Sequence, residues 1–390
     1  MNRTPLDLYK IIAFGLGNDS WQQWVDHYEE KYNDAQIDGF TFAPVSLSYT
    51  FQQLIAETGA HTLPAYVDPE SPGYETALRE VQGKTGNIPT MKKFYRLNRT
   101  IVSERLQLIQ RVGQASLTPE MQEVFMGLID ESTDGLIGSF MNALTHQRMQ
   151  IASTGKFTIN EENNPRGLRG ITINFLEDGH EFDALTSTKK WWTDADRTKE
   201  GSASDPIQDI KDKVKHIRRV KHYVGPIHLE IDRDVYDDLL MHSAVLKRLG
   251  HSLYPNVTDD TTVIANAKNY SDEALGALLT KICGITIKPI DSIAFVDSPD
   301  ASKKDIVTKS IESFKKTNIA FVPDGIWGSI QGVSPLTLGY DPDKVARYKG
   351  GRLILSQRAI PETHSIYIES EAAQLLVPTN TRGHYVCKVY

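Results

Sequence analysis

The sequence contains very little cysteine: Cys283 and Cys387 are the only two among 390 residues. Two thiols cannot form the disulfide framework of a small secreted protein or a cysteine-rich zinc site. They are typical of a protein kept in a reducing compartment. We therefore expect both to be buried, unreactive thiols.

An excess of positive charge is also absent. The 43 Lys and Arg residues are outnumbered by 50 Asp and Glu, for a net charge of -7. A sequence-reading DNA-binding protein usually carries a basic surplus, so any nucleic-acid contact here must be local. The densest basic run interleaves with Val214, Ile217 and Val220 at helical spacing, which predicts a solvated helix face, with a phosphate-facing role as the alternative. Its members are Lys211, Lys213, Lys215, Arg218, Arg219 and Lys221.

Long apolar runs are missing as well. No stretch approaches the roughly 18 apolar residues that cross a membrane, and the chain does not open with the pattern of a signal peptide. We expect a soluble protein made in the cytoplasm, with no membrane partner.

Each partial match to a catalytic or cofactor-binding motif lacks a feature that the motif requires. Tyr340 and Lys344 have a dehydrogenase-like spacing, but Pro342 between them disfavours the continuous helix that this chemistry needs. Gly15-Leu16-Gly17 lacks the third glycine and the preceding strand of a dinucleotide site, which predicts a turn.

Metal and hydrolase motifs fail in the same way. Asp194-Ala195-Asp196 starts like a calcium loop, but Lys199 occupies the position that requires glycine, so a solvated loop is predicted. Ser329 lacks the Gly-x-Ser-x-Gly frame, and no His-Glu-x-x-His occurs. We predict no catalytic, cofactor-binding or metal-binding residues, and therefore no enzyme.

One long helix is the clearest positive feature. Thr118-Pro119-Glu120 combines a capping hydroxyl, a proline suited to the first turn and an early carboxylate. Apolar residues then recur at intervals of three and four as far as Ile151, and Gly155 follows the expected end. We predict a helix from Thr118 to about Ser153, roughly 50 Å long at about 1.5 Å per residue.

A polar hairpin is predicted before this helix. Residues 75–83 and 87–102 have strand-like patterns on either side of Gly83-Lys84-Thr85-Gly86, whose glycines permit a reversal. These strands are too polar to form a core of their own, and an isolated hairpin is only marginally stable in water. We expect it to lie on another surface.

Strands and helices are mixed after the long helix, which indicates an α+β fold. Strands are predicted at 156–160 and 170–175, and Asp205-Pro206 starts a helix that opens a second domain. The remaining predictions are strands at 227–231, 284–297, 318–322, 352–355, 365–369, 373–377 and 384–389, and helices at 233–249 and 272–283.

The order of these parts resembles a known family. Thr154-Gly155-Lys156 leads from the helix into a strand, and a second strand, Ile171 to Phe175, follows it. Tyr340-Asp341-Pro342 leads to Ser356, Pro361 and the strand-rich end. From about Leu63 to Tyr390 the chain is similar to the lambda-type major capsid proteins of tailed bacteriophages.

This resemblance implies an α+β, Hong Kong 97-type phage capsid fold. Residues 1–62 would form an N-terminal arm and 63–104 an extended E-loop. Residues 105–204 would form the P-domain, with a spine helix at 118–153, and 205–345 the A-domain. Residues 346–390 would return to the P-domain.

The implied function is structural. The chain would self-assemble, as hexamers and pentamers, into the icosahedral head of a virion that encloses double-stranded DNA, contacted non-specifically. A portal and a decoration protein are further expected partners, and a separate scaffolding protein is expected because no long coiled coil precedes the fold. Assembly would take place in the bacterial host cytoplasm. The expected subunit-interface residues are Lys84, Lys92, Lys93, Arg96 and Arg99.

Two alternatives stay open at this point. The same fold occurs in encapsulin-like bacterial nanocompartments, and a cytosolic α+β hydrolase belongs to a different class. If the shell is covalently cross-linked, Lys84 and Asn380 are the candidates.

Overall fold

The computed structural model describes residues 18–33, 37–54, 83–97, 119–165, 167, 169–176, 182–299, 306–335, 345–360 and 365–390. The chain divides into two compact units that alternate along the sequence. The first takes its described residues from Met1–Gln52, Thr85–Thr145 and Ser329–Val377, and the second from Gln53–Lys84, His146–Gly328 and Pro378–Tyr390.

Helices and strands are mixed throughout the described residues. The helices are α1 (Asn18–Asn33), α2 (Pro119–Thr154), α3 (Pro206–Arg219), α4 (Arg233–Met241), α5 (Ser243–Leu253), α6 (Asp260–Ala267) and α7 (Asp272–Cys283). The first strands are β1 (Phe40–Phe42), β2 (Thr50–Leu54), β3 (Gly83–Asn87), β4 (Thr90–Leu97), β5 (Lys156–Ile159), β6 (Ile171–Asn174), β7 (Phe182–Ala184), β8 (Ile227–Asp232) and β9 (Thr286–Ile290). The others are β10 (Ile293–Pro299), β11 (Ile306–Glu312), β12 (Asn318–Pro323), β13 (Gly328–Val333), β14 (Val345–Tyr348), β15 (Leu353–Ile360), β16 (Ser365–Pro378) and β17 (Tyr385–Lys388).

The predicted long helix is confirmed as α2, which has 36 residues. Its apolar stripe is buried in the first unit, where the members are Leu136, Ile137, Phe140, Met141 and Leu144. The helix ends where Gly155 adopts a left-handed φ of 67°, and the Gly155 N–H donates to the carbonyl of Ile151 at 2.8 Å. Glycine suits this position because it has no Cβ to strain. The next strands, β5 and β6, pair antiparallel as predicted.

A six-stranded sheet forms the first unit. Its order is β1-β13-β16-β15-β14, and β4 also pairs with β16. The prediction of two strands at 365–369 and 373–377 is wrong, because β16 is continuous for 14 residues. Its polar middle is satisfied by β4: Glu371 forms an ion pair with Lys92, and the Ser370 hydroxyl donates to the Lys93 carbonyl.

Two glutamines in this unit imitate strand pairing with their side chains. The Gln22 amide of α1 donates to the Arg347 carbonyl at 2.8 Å and accepts from the Arg347 N–H at 2.8 Å. Gln331 of β13 makes the same two bonds to the backbone of Gln52, at 2.7 and 3.0 Å. The bonded backbone groups belong to β14 and β2. Because the amides satisfy them, these strand edges are less able to pair with another strand.

The second unit is built on a five-stranded sheet of order β7-β17-β12-β8-β9. All six positions of β8 and of β12 are buried, as expected for central strands covered on both faces. Helices α3, α4, α5 and α7 contribute apolar residues to the same core. Trp191 and Trp192, from the segment that precedes α3, also belong to this core, and Nε1 of Trp191 donates to Asp209 at 3.1 Å.

The helix predicted at 233–249 is in fact two helices separated at His242. This residue has extended backbone angles, and its Nδ1 accepts from the Ala244 N–H at 3.2 Å, so the imidazole caps α5. Its Nε2–H points to the carbonyl of Trp191 at 3.2 Å. The apolar periodicity continues across the break, so the sequence pattern alone did not reveal it. The start of α3 and both ends of α7 agree with the predictions.

The predicted hairpin tip is wrong. Gly83–Asn87 is strand β3, which pairs with β2, and only Ile88 and Pro89 separate it from β4. Gly86 lies so close to Phe51 that a Cβ would come within 2.6 Å of its ring. The glycine therefore serves close packing rather than a turn. Residues 75–82 and 98–102 of the predicted hairpin lie outside the described residues.

Candidate assembly surfaces

The inner face of β4 contacts the long helix of its own unit. The ammonium of Lys93 donates to the Ser139 hydroxyl at 2.9 Å. The Tyr95 hydroxyl fits against Gly135, where a Cβ would approach within 2.6 Å. Lys93 and Tyr95 therefore hold β4 on α2.

Alternate residues of β4 project to the opposite side, because side chains alternate along a strand. Lys92, Phe94 and Arg96 form this outer β4 face. Nζ of Lys92 lies 2.8 Å from Glu371, and the Phe94 and Arg96 side chains lie 5.6 and 5.7 Å from the ring of Tyr367. Phe94 is 60% exposed. A mixed aromatic and cationic strip of this kind suits a protein contact.

The four predicted interface residues that the structure describes fall into three environments. Lys92 and Arg96 lie on the outer β4 face, whereas Lys93 faces its own helix. The ammonium of Lys84, on β3, donates to the Leu176 carbonyl at 2.5 Å in the second unit. Arg99 lies outside the described residues. An interface role remains a prediction for each of them.

The basic run around α3 is only partly a solvated face. Lys221 is 4% exposed, and its ammonium donates to the carbonyl of His384 at 2.6 Å. Arg218 donates to the Tyr223 carbonyl at 3.1 Å, while Lys213 is bonded to Asp183. Sequence spacing did not reveal the partners of Lys221 and Lys213, because His384 and Asp183 come from distant parts of the chain.

The interrupted calcium motif forms an ordinary loop. The carboxylate of Asp194 accepts from the N–H and the hydroxyl of Thr198, at 2.9 and 2.6 Å, and from the N–H of Lys199 at 3.3 Å. The Thr198 hydroxyl lowers the pKa of Asp194. Ser329 lies within β13, and residues 15–17 and 340–344 lie outside the described part of the chain.

Strands β10 and β11 form a two-stranded hairpin in the second unit. Directly opposite residues share a face, so Ile293 and Phe295 lie on the same side as Glu312 and Ser310. Ile293 is 64% exposed and Phe295 is 72% exposed. We call the side formed by Ile293, Phe295, Asp297 and Glu312 the hairpin face.

The base of this hairpin is firmly attached to the five-stranded sheet. The buried Ser292 hydroxyl donates to Asp232, at the end of β8, at 2.5 Å. The Ser313 N–H donates to the Ser292 carbonyl at 2.6 Å, and Nδ1 of His146 lies 2.8 Å from the Ser313 hydroxyl. Because its base is fixed, the hairpin presents its face in a defined position.

A second exposed apolar group belongs to the two loops at the other end of that sheet. Val220 and Val224 precede β8 and are 52% and 67% exposed, and Ile326 follows β12 and is 68% exposed. The loops adjoin, since the Asp324 N–H donates to the Pro226 carbonyl at 3.0 Å. We call Val220, Val224 and Ile326, with the exposed Arg219, the loop face.

A buried ion pair joins the helix to the sheet in the second unit. The side chains of Arg148 on α2 and Glu230 on β8 are both almost fully buried. Nε2 of His228 lies 3.0 Å from a carboxylate oxygen of Glu230. Burial opposes ionisation of Glu230, but Arg148 and His228 together lower its pKa to about 2. The carboxylate is therefore charged at neutral pH and compensates the guanidinium.

His384 is another buried titratable group near the end of α2. Its Nε2–H donates to the carbonyl of Ala152 at 2.8 Å, and burial lowers its pKa to about 4. The imidazole is therefore neutral at physiological pH. The predicted burial of both cysteines is confirmed, and burial raises the pKa of Cys283 to about 11 and that of Cys387 to about 12.

No helix within the described ranges is long and apolar enough to span a membrane. The sequence model of the family described as phage major capsid protein E matches residues 38–388. No curated protein sequence matches the chain.

Among solved structures, the chain is similar to a putative prophage capsid protein from E. coli CFT073. The two share 10% identity over 96% of this chain and 99% of that one, with a TM-score of 0.50. A phage-related protein from Bordetella bronchiseptica RB50 shares 12% identity over 94% and 95% of the two chains, with a TM-score of 0.48. The first similarity confirms the α+β capsid fold expected from the sequence.

Proposed function

The chain belongs to the phage major capsid protein E family, and we propose that its copies assemble as hexamers and pentamers into an icosahedral head around double-stranded DNA. The observation that carries this proposal is the family match over residues 38–388. It includes described residues of both compact units. The protein is thus a structural component of a phage head shell, and we expect no catalytic role.

Self-association is further supported by what the described surface displays. The outer β4 face, the hairpin face and the loop face all expose large apolar side chains. Exposed apolar groups bordered by charged residues are candidate contact sites in soluble proteins. Heterologous contacts repeated around symmetry axes generate closed rings, which is what capsomers require.

The proposal includes the capsid domains whose bounds the sequence predicts. Helix α2 would be the spine helix expected at 118–153, and β8, β9 and β12 would belong to the A-domain expected at 205–345. The E-loop, at 63–104, would be anchored through β4 to β16 of its own chain. The final segment, 346–390, would reach both compact units, since β15 lies in the first and β17 in the second. The arm, at 1–62, would be anchored to the first unit of its own chain through α1 and β1.

The other partners follow from the same assignment. We propose a separate scaffolding protein, a portal, and a decoration protein on the finished shell. Contact with the packaged DNA would be non-specific and local, because the net charge of -7 opposes a general attraction to phosphate. Assembly would take place in the host cytoplasm.

A disulfide-free shell is consistent with the buried thiols. Thiolate, rather than thiol, is the reactive form, and the raised pKa values of Cys283 and Cys387 disfavour it. Particles should therefore run as monomers on a non-reducing denaturing gel. A covalent ladder that persists in reductant would instead indicate an isopeptide bond, for which Lys84 and Asn380 are the candidates.

The proposal is tested by sedimentation and light scattering of the purified chain, with and without a co-expressed scaffolding protein. We expect capsomers or larger particles. A monomer that persists at high concentration in both preparations would contradict the proposed function. The family match does not favour an encapsulin-like compartment or a hydrolase over this function.

A further inference from the structure

The hairpin face and the loop face lie at opposite ends of one sheet. Strands β8 and β9 run parallel, and Asp232 is paired with Ile290 at their carboxyl ends. Ile293 follows Ile290 by three residues, which places the hairpin at this end. At the opposite end Ile227 pairs with Pro323 of β12. Val224 precedes that pair by three residues, and Ile326 follows it by three.

The two faces are complementary in chemistry. Each exposes large aliphatic or aromatic side chains, namely Ile293 and Phe295 on the hairpin face and Val224 and Ile326 on the loop face. Their charges are opposite. The hairpin face carries the carboxylates of Asp297 and Glu312. The loop face carries the guanidinium of Arg219, at the end of α3.

We propose that the hairpin face of one subunit binds the loop face of a second copy of this chain. Two different surfaces at opposite ends of one rigid sheet form a heterologous contact, which closes into a ring when the rotation between neighbours divides a full turn. The contact removes Phe295 and Ile293 from water, and it places Glu312 near Arg219 of the neighbouring copy. It would thus be a head-to-tail contact within each capsomer, and it rests on the proposed shell function.

The contact also accounts for the anchoring of the hairpin. A free two-stranded hairpin is only marginally stable in water. Here Ser292 and Asp232 fix its base, so little conformational entropy is lost when the face is covered. A preorganised projection suits a contact that must repeat with the same geometry around a ring.

Cross-linking in assembled particles tests the contact. Phe295→Cys and Val224→Cys chains would be prepared singly, mixed, and combined in one chain, then treated with a short bifunctional maleimide. The native thiols are buried and should react slowly. We expect covalent dimers in the mixture, and none from either single variant. The chain with both changes should give a ladder that stops at the size of a capsomer.

Leu47→Cys provides the matched control. Leu47 is 89% exposed but belongs to neither face, so particles that mix it with Phe295→Cys should give no dimer. Dimers from Phe295→Cys alone, or equal yields with Leu47→Cys, would overturn the proposal. So would particles of normal size in which the mixture gives no cross-link, and that result would leave the shell function intact. Failure of the parent chain to assemble would overturn both.

Charge reversal provides an independent readout. Glu312→Arg and Arg219→Glu should each reduce particle yield, because each places like charges across the contact. The two changes together should restore the yield. If the combined chain assembles no better than the single variants, Glu312 and Arg219 do not face each other and the proposal is wrong.

Discussion

Arg148 and Glu230 form a two-point ion pair in the core of the second unit. Nη1 of Arg148 lies 2.7 Å from Oε2 of Glu230, and Nη2 bonds the other carboxylate oxygen. The long helix and the central strand β8 are thus joined by a charged pair that is shielded from water on both sides. Such a pair fixes the register of its two elements more than it adds net stability.

The first prediction concerns this pair. Glu230→Gln leaves the Arg148 charge buried without its counter-charge, so we expect a loss of about 3–5 kcal/mol in the free energy of unfolding. The double variant Arg148→Met with Glu230→Leu should lose less than Glu230→Gln, because no charge remains in the core. Denaturant unfolding of unassembled subunits measures both. A double variant at least as unstable as Glu230→Gln would contradict this account of the pair.

The second prediction uses two glycines with similar backbone angles. Gly155 and Gly170 have φ of 67° and 78°. A Cβ at Gly155 would overlap the side chain of Leu176, whereas at Gly170 it would meet nothing within 4 Å. Gly155→Ala should therefore cost the backbone strain of about 1 kcal/mol plus about 1–3 kcal/mol of overpacking, and Gly170→Ala only the strain. Thermal melting of both variants checks the difference, and equal losses would show that Leu176 can move aside.

The third prediction concerns acid. Burial lowers the pKa of His384 from 6.5 to about 4. Below pH 6.5 the unfolded chain binds a proton at this residue while the folded chain does not, so stability falls as the pH drops from 6.5 towards 4. At pH 5 the loss from this residue amounts to at most about 2 kcal/mol.

His384→Gln provides the control, since its amide can still donate to Ala152 but cannot titrate. The variant should show a flatter dependence of the melting temperature on pH between 7 and 5 than the parent chain. Identical slopes would show that His384 does not contribute to acid sensitivity.

The fourth prediction separates assembly from folding at the outer β4 face. Exposed ion pairs such as Lys92 with Glu371 contribute about 0–1 kcal/mol, so Lys92→Glu and Arg96→Glu together should leave the melting transition nearly unchanged. Particle yield should fall sharply. By contrast, Phe140→Asp buries an unpaired carboxylate, which costs several kcal/mol and should unfold the subunit.

Parallel melting and particle counts decide this case. Lys93→Ala, on the inner face of β4, is the matched control, because it removes the bond to Ser139 and should weaken stability more than assembly. If the Lys92 and Arg96 variant loses its melting transition as completely as Phe140→Asp, β4 belongs to the subunit core and has no assembly role.

Local signals predicted much of this fold. Neighbouring residues determine the long helix, its end at Gly155 and the helix start at Asp205-Pro206. These boundaries could therefore be predicted from the sequence. The Asp205 carboxylate accepts from the Gln208 N–H at 3.1 Å, as a capping residue should.

Two of the errors have a different cause, because each depends on a distant partner. The glycines at 83 and 86 predicted a turn. In the structure Gly86 instead lies in a strand, where the Phe51 ring packs against it and leaves no room for a Cβ. Ser370 and Glu371 signalled a strand break, but β4 supplies their partners. The buried Arg148 and Glu230 pair and the hairpin face were not predicted, because no local spacing distinguishes them from ordinary charged and apolar positions.

Electron microscopy of the purified chain, imaged in negative stain with and without its scaffolding partner, tests the central claim most directly. The account predicts closed, hollow shells of uniform diameter built from ring-shaped capsomers. A homogeneous population of single folded subunits in both preparations, at concentrations where capsid proteins associate, would contradict it.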